Sequence, residues 1–152
     1  MPITTAAPRA EIVTGFDVSL LRTGSGEAMS AQDRTWPGLM RRAGRAHLGI
    51  WELEGLVEKV ELLVSELVTN GFQHGRGATV EVRLWRTKGY VCMEVSSGGG
   101  KTVPCVREAG PMEERGRGLW LVDLLADAWG VTPDGACTWC LVDVPAAAPA
   151  ES

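Results

Sequence analysis

Two side chains with the types and spacing for chemistry on phosphates stand four residues apart, Glu66 and Asn70, in the segment Glu66-Leu67-Val68-Thr69-Asn70. A carboxamide oxygen suits a hard cation such as Mg²⁺, which takes oxygen ligands and keeps several waters. A carboxylate beside it can orient or deprotonate a nucleophile. The same two residues also fit the plainer role of polar groups at a helix rim. A second candidate is Gly116-Arg117-Gly118-Leu119, where glycines ahead of a predicted helix would let backbone amides approach an anion at the positive end of the helix dipole.

Two other motifs carry less. Gly98-Gly99-Gly100-Lys101-Thr102 has the ending of a phosphate-binding P-loop. However, Val95 stands where its first glycine belongs, and Pro104 follows where the helix must start. Cys137 and Cys140 form a C-x-x-C in a segment that reads as a strand, and a strand sends positions i and i+3 to opposite faces.

The elements that must position these groups can be read from periodicity. Apolar residues at 53, 56, 57, 60, 63, 64, 67 and 68 define one buried face of a helix over Leu53–His74,. At about 100° per residue, Glu66, Asn70 and His74 fall within roughly 80° of one another on the flank of that face. Before it, Pro37 and the apolar face of Leu39, Met40, Ala43, Ala46 and Leu48 predict an amphipathic helix over 36–48, with Arg41, Arg42 and Arg45 on its other side. A first strand is predicted within 11–21.

After the long helix, alternation over Thr79–Trp85, a Thr87-Lys88-Gly89 turn and Tyr90–Val95 predict an antiparallel hairpin. Ser96–Gly118 has no periodicity and is too long for an ordinary connection. A helix follows with Leu119, Val122, Leu125 and Ala126 as its apolar face, and then strands at Trp129–Thr132 and Cys137–Val144. Strands grouped against helices predict an α+β fold, a two-layer sandwich whose mostly antiparallel mixed sheet carries helices on one face.

The chain has 152 residues, 45% of them hydrophobic, and a net charge of −4. That is one domain, expected over 11–144, between disordered tails at 1–10 and 145–152. Its basic residues come in short scattered groups, which argues against nucleic acid as a partner. No apolar run reaches the roughly 18–20 residues of a membrane span, and the N-terminal residues lack the basic-then-apolar order of a secretory signal, so a cytoplasmic location without membrane association is expected.

Taken together, Glu66-Leu67-Val68-Thr69-Asn70-x-x-x-His74, the hairpin, the glycine-rich segment, Gly116-Arg117-Gly118-Leu119-x-Leu121-Val122 and Leu125-Ala126-Asp127-x-Trp129-Gly130-Val131 resemble the GHKL (Bergerat-fold) ATPases. More narrowly, roughly 36–144 is similar to the single-domain serine/threonine kinases that act as anti-sigma factors. The resemblance implies ATP and Mg²⁺ as cofactors, Glu66 as general base and Asn70 as the Mg²⁺ ligand. It also implies an ATP lid over 98–118 and contacts to nucleotide from Gly116, Arg117, Gly118 and Leu119.

The partners it implies are a sigma factor and a STAS-type anti-anti-sigma protein phosphorylated on serine, with a homodimer as a common assembly. One position departs from the family pattern. The carboxylate that usually accepts from the adenine amine, in a Val-x-Val-x-Asp context, is replaced by Ser97. A charge-assisted bond of about 1.5–3 kcal/mol becomes at best a neutral one. The alternative function is therefore a GHKL-fold regulator that binds proteins and uses ATP weakly or not at all.

Overall fold

The computed structural model describes residues 3–4, 6–8, 14–25, 28–75, 77–97, 114–133 and 135–145, with 3–4 and 114–118 as backbone. Six strands form one sheet in the order β1-β5-β6-β4-β3-β2. They are β1 Ile3–Thr4, β2 Thr14–Leu21, β3 Thr79–Arg86, β4 Tyr90–Ser96, β5 Ala128–Val131 and β6 Cys137–Asp143. Every pairing is antiparallel except β1 with β5. The helices are α1 Trp36–Ile50, α2 Val57–His74 and α3 Glu114–Leu125. The α+β sandwich expected from the pattern of elements is the fold observed.

Alternation along the strands decides which side of the sheet meets the helices. Val80, Val82 and Leu84 of β3, Val91, Met93 and Val95 of β4, and Cys140 and Val142 of β6 join one core. That core also holds Met40 and Leu48 of α1, Leu63, Leu67, Val68 and Phe72 of α2, and Leu119 and Val122 of α3. The intervening strand residues point to the other face. There Trp85, Cys92 and Trp139 cluster with Ala7, and Arg83 bonds Asp17 at 2.9 Å and Glu94 at 3.2 Å. Cys140 belongs to the helix-side core while Trp139 lies on the opposite face, so the alternation sends Cys137 away from Cys140.

Several boundaries differ from the sequence reading, each for a local reason. The segment expected as a tail over 1–10 contributes β1, which pairs Ile3 with Gly130 and Thr4 with Val131. Two residues are too short to show alternation. β2 starts at Thr14, and 11–13 lie outside the described residues, as do 146–152 of the other expected tail. The long helix does not begin at Leu53. Glu54–Leu56 form a 3-10 turn and α2 starts at Val57.

α1 runs two residues further than predicted and ends in a Schellman motif. Leu53 N donates to Leu48 O (2.8 Å) and Glu52 N to Gly49 O (3.1 Å), with Glu52 in the left-handed region at φ 59°,. α3 begins at Glu114, so Gly116-Arg117-Gly118 falls inside the helix rather than ahead of it. Acidic residues favour a helix start through the dipole, which offsets part of the cost of two glycines.

The connection from β2 to α1 is locked by one buried carboxylate. Asp33 accepts from the amides of Thr23 (2.9 Å), Gly24 (2.8 Å) and Ser30 (3.2 Å), and its own amide donates to Ser30 Oγ at 3.0 Å. Burial works to raise its pKa, but the bonds from Thr23, Ser30 and Gly24 outweigh burial and hold it below the usual value. A depressed folded pKa stabilises the fold above the unfolded value of about 3.9, and the gain is lost as pH falls through the folded value. Asp33→Ala is expected to lower stability by roughly 2–4 kcal/mol at neutral pH, with a smaller gap in acid. Denaturant melts near pH 7 and near pH 2.5 check this, and an equal penalty at both would remove the charge from the account.

Candidate functional site

α2 lies between two helices, and its hydrogen bonds show which flank faces which. Arg41 Nη1 donates to Ser65 Oγ (3.0 Å) and Arg45 Nη2 to Glu61 Oε1 (2.8 Å), so the Glu61/Ser65 flank belongs to α1. Glu66, Asn70 and His74 are centred about 160° further around the helix. α2 also packs against α3, so this second flank is turned toward α3. All three residues are half-buried. Burial pushes the Glu66 carboxyl above the ordinary glutamate range, which suits a proton acceptor more than a surface charge does.

The depth of α2 on the sheet is set by Gly71. A Cβ at that position would lie 2.7 Å from Val95 Cγ1 and 3.1 Å from Val80 Cγ1. An alanine in a helix interior usually gains up to about 1 kcal/mol over glycine. Here it would be overpacked, and such overpacking costs about 1–3 kcal/mol. Gly71→Ala is therefore expected to lower the melting temperature and, by lifting α2, to misplace the adjacent Asn70. A calorimetric melt decides it, and a raised Tm would show that the sheet yields freely.

Ser97 sits at the C-terminal end of α2. Its amide donates to Ala136 O at 3.0 Å and its carbonyl accepts from Gly77 N at 3.2 Å. A Cβ on Gly75 would collide with Ser97 Cβ and Gly71 O and crowd Ser97 O, so only glycine there lets the helix end meet the end of β4. The Ser97 hydroxyl lies 3.5 Å from Ala136 O, at the outer limit of a hydrogen bond,. Gly77 and Ala136 hold Ser97 from both sides, and it shares the helix-side face with Val95.

One residue of this region was not singled out from sequence, Thr138. It is buried and in register with Val95 and Val131, and alternation puts it on the helix side next to Ser97's neighbour Ala136. Its only signal is a hydroxyl at an inward position of an otherwise apolar strand.

α3 is fixed from its far end. Trp129 Nε1 of β5 donates to Asp123 Oδ1 at 2.7 Å, and this bond holds the Asp123 carboxyl below its ordinary value. Leu119 is spent on the core through its side chain, which leaves its backbone for any ligand contact. Of Gly116, Arg117 and Gly118 in the opening turns of α3, which starts at Glu114, only Gly116 and Arg117 fall within the first four amides, which have no intrahelical acceptor. Residues 98–113 of the expected lid, and the Gly98–Thr102 motif with them, lie outside the described residues. Among the described residues no group of His, Cys, Asp and Glu gathers in a way that could hold a metal ion. A site served by Asn70 would draw its remaining oxygens from water and substrate.

A half-buried carboxylate and carboxamide one turn apart, on the flank of a helix that packs against α3, make a setting for a polyphosphate and a hard cation,. A family model of the histidine kinase-like ATPase domain matches residues 29–141. The chain belongs to that family, and ATP binding comes with the membership. No curated protein matches the chain. No helix among the described residues is long and apolar enough to cross a membrane.

Proposed function

We propose that this chain is a regulatory protein of the anti-sigma kinase type, holding Mg·ATP between the α2 flank and the start of α3 and phosphorylating a serine of a STAS-type anti-anti-sigma partner while sequestering a sigma factor. The observation that carries the reading is the placement of Glu66 and Asn70 on consecutive turns of the α2 flank turned away from α1 and toward α3. Bound Mg·ATP would supply the transferable phosphoryl group and neutralise its charge.

The residues present fit that ligand. Asn70 would offer its side-chain oxygen to the cation. Glu66 accepts the proton of the attacking serine hydroxyl at a carboxylate oxygen. The amides of Gly116 and Arg117, at the opening of α3, would meet the phosphate end, with Gly118 and Leu119 completing that turn. Ser97 and Thr138 supply neutral polar groups at the base end. Transfer of this kind rests mainly on positioning and charge neutralisation, so the exposed charges of the chain are expected to matter little to it.

Ser97 favours a second reading, a protein-binding regulator that uses ATP weakly. Calorimetric titration of ATP, ADP and GTP, each with and without Mg²⁺, separates the two. The kinase reading expects Mg-dependent ATP binding with adenine preferred over guanine. Ser97→Asp is expected to strengthen ATP binding roughly ten- to a hundredfold, since a charge-assisted bond replaces a neutral one. If wild type binds ATP barely measurably and Ser97→Asp rescues it, the second reading holds. If neither protein binds nucleotide, the site is not a nucleotide site.

A further inference from the structure

The first two strands are fixed on opposite edges of the sheet. β1 pairs with β5 at one edge and β2 pairs with β3 at the other, so the chain between them has to cross the sheet. Ala7 shows the side it takes. Ala7 is buried in the cluster of Trp85, Cys92 and Trp139, on the face turned away from the helices.

That face is closely covered for the outer side of a two-layer sandwich. Trp85 is 4% and Trp139 2% exposed, with Tyr90, Ala128 and Leu141 packed around them. Register brings these side chains together, since Trp85 stands opposite Cys92, Cys92 opposite Leu141 and Leu141 opposite Ala128,. Among the described residues the N-terminal segment covers this cluster through Ala7, which lies between exposed Ala6 and half-buried Pro8. One methyl group is a slight anchor, because apolar burial stabilises in proportion to the area removed from water.

The rest of the hold is slight as well. Ala6, Ala7 and Pro8 make no hydrogen bond among the described residues. β1 is two residues long and pairs Ile3 with Gly130 and Thr4 with Val131. Against these contacts stands the conformational entropy of ordering each residue of the segment. Register puts Thr4 level with Val18 across the sheet. Thr4 and Thr14 therefore lie five strand spacings and four residues apart, roughly 28 Å in the plane of the sheet. The ten residue steps from 4 to 14 reach at most about 33–36 Å. With so little to spare, lifting the segment off the tryptophans means taking β1 off β5.

We infer that residues 3–8 are a strap that opens while the rest of the fold stays closed, with β1 as its latch and the Trp85/Trp139 face as its seat. Closed, the strap hides two indole rings and the Cys92 thiol. Open, it bares all three on the side of the sheet away from α2 and α3. The inference stands apart from the nucleotide reading, because the α2 flank lies on the other face.

Two thiols make the test, Cys92 under the strap and Cys140 under the helices, each 0% exposed. The full chain is treated with iodoacetamide over a series of sub-denaturing urea concentrations, and labelling is followed by site-resolved mass spectrometry. A local opening exposes little surface and responds little to urea, whereas global unfolding responds steeply. Cys92 is expected to react at least tenfold faster than Cys140 without urea, at a rate nearly flat in urea while that of Cys140 climbs. Ala7→Asp sets a carboxylate against the indoles, and Ile3→Pro combined with Thr4→Pro takes both amides from the latch. Each variant is expected to raise Cys92 labelling at least tenfold while a cooperative thermal melt persists.

Equal rates for the two thiols, rising together with urea, overturn the inference, because Cys92 would then be reached only by unfolding the whole chain. A folded seat or latch variant that keeps Cys92 as slow as in wild type overturns it too. Should either variant fail to fold, the wild-type comparison of the two thiols decides by itself.

Discussion

Asn70→Ala is expected to abolish Mg-dependent nucleotide binding, weakening it roughly a hundredfold or more, about 2.8 kcal/mol. The size follows from the composition of the site. Asn70 stands one turn from Glu66 on the α2 flank turned toward α3, and among the described residues no cluster of carboxylates, cysteines and histidines stands ready to replace it. Removing a lone protein ligand leaves the cation held by water and phosphate alone. The fold should tolerate the change, because Asn70 is half-buried and its neighbours Leu67, Val68, Gly71 and Phe72 carry the packing. Calorimetry with Mg·ATP, paired with a thermal melt, checks both halves. Equal affinity in wild type and variant would take Asn70 out of the site.

Glu66→Gln is expected to leave binding nearly intact while turnover falls by about 10²–10⁴, the usual contribution of a positioned base. The two variants therefore separate binding from chemistry although their side chains are one turn apart. Burial raises the Glu66 pKa in the folded protein, and the sign of the consequence can be worked out. The folded chain holds this proton more tightly than the unfolded chain, so the charged form at neutral pH costs stability. That cost appears as pH rises through the folded pKa. Glu66→Gln should be slightly more stable than wild type at neutral pH while being far less active. Turnover of wild type should rise with pH on an acid limb above the ordinary glutamate range, and the variant should lack that limb. Single-turnover phosphoryl transfer across pH reads this out. A variant as fast as wild type would leave Glu66 a rim residue.

Much of this arrangement was legible before any coordinates. α2 declared itself because its apolar positions repeat at helical spacing over five turns, and the same arithmetic put Glu66 and Asn70 on its flank. The β3–β4 hairpin was legible from alternation around Thr87-Lys88-Gly89. There Thr87 Oγ1 accepts from the amides of Gly89 and Tyr90, both at 3.2 Å.

What stayed hidden depends on contacts between distant segments. A two-residue β1 has no period to detect, and its partner Gly130–Val131 is more than a hundred residues away. The start of α3 was set too late because glycine is a poor helix former, a weak local preference that packing at Leu119 and Val122 overrides. Gly71 reads in sequence as a flaw in a good helix. Only the closeness of Val80 and Val95 shows it to be the contact point. Thr138 looked like one more strand residue until register placed it beside Val95. Glu52, at φ 59°, occupies a position where glycine would be the sequence signal for a helix end,.

The family membership narrows the question to where nucleotide sits and which residues touch it. Amide chemical-shift mapping of the isotopically labelled full chain during titration with Mg·ATP answers it directly. The account expects saturable shifts at Glu66–Gly75, Ser97, Thr138 and Gly116–Leu119, with Arg41–Ile50 and the Trp85/Trp139 face unmoved. Shifts confined to α1 or to the far face of the sheet, or no saturable shift at all, would contradict it.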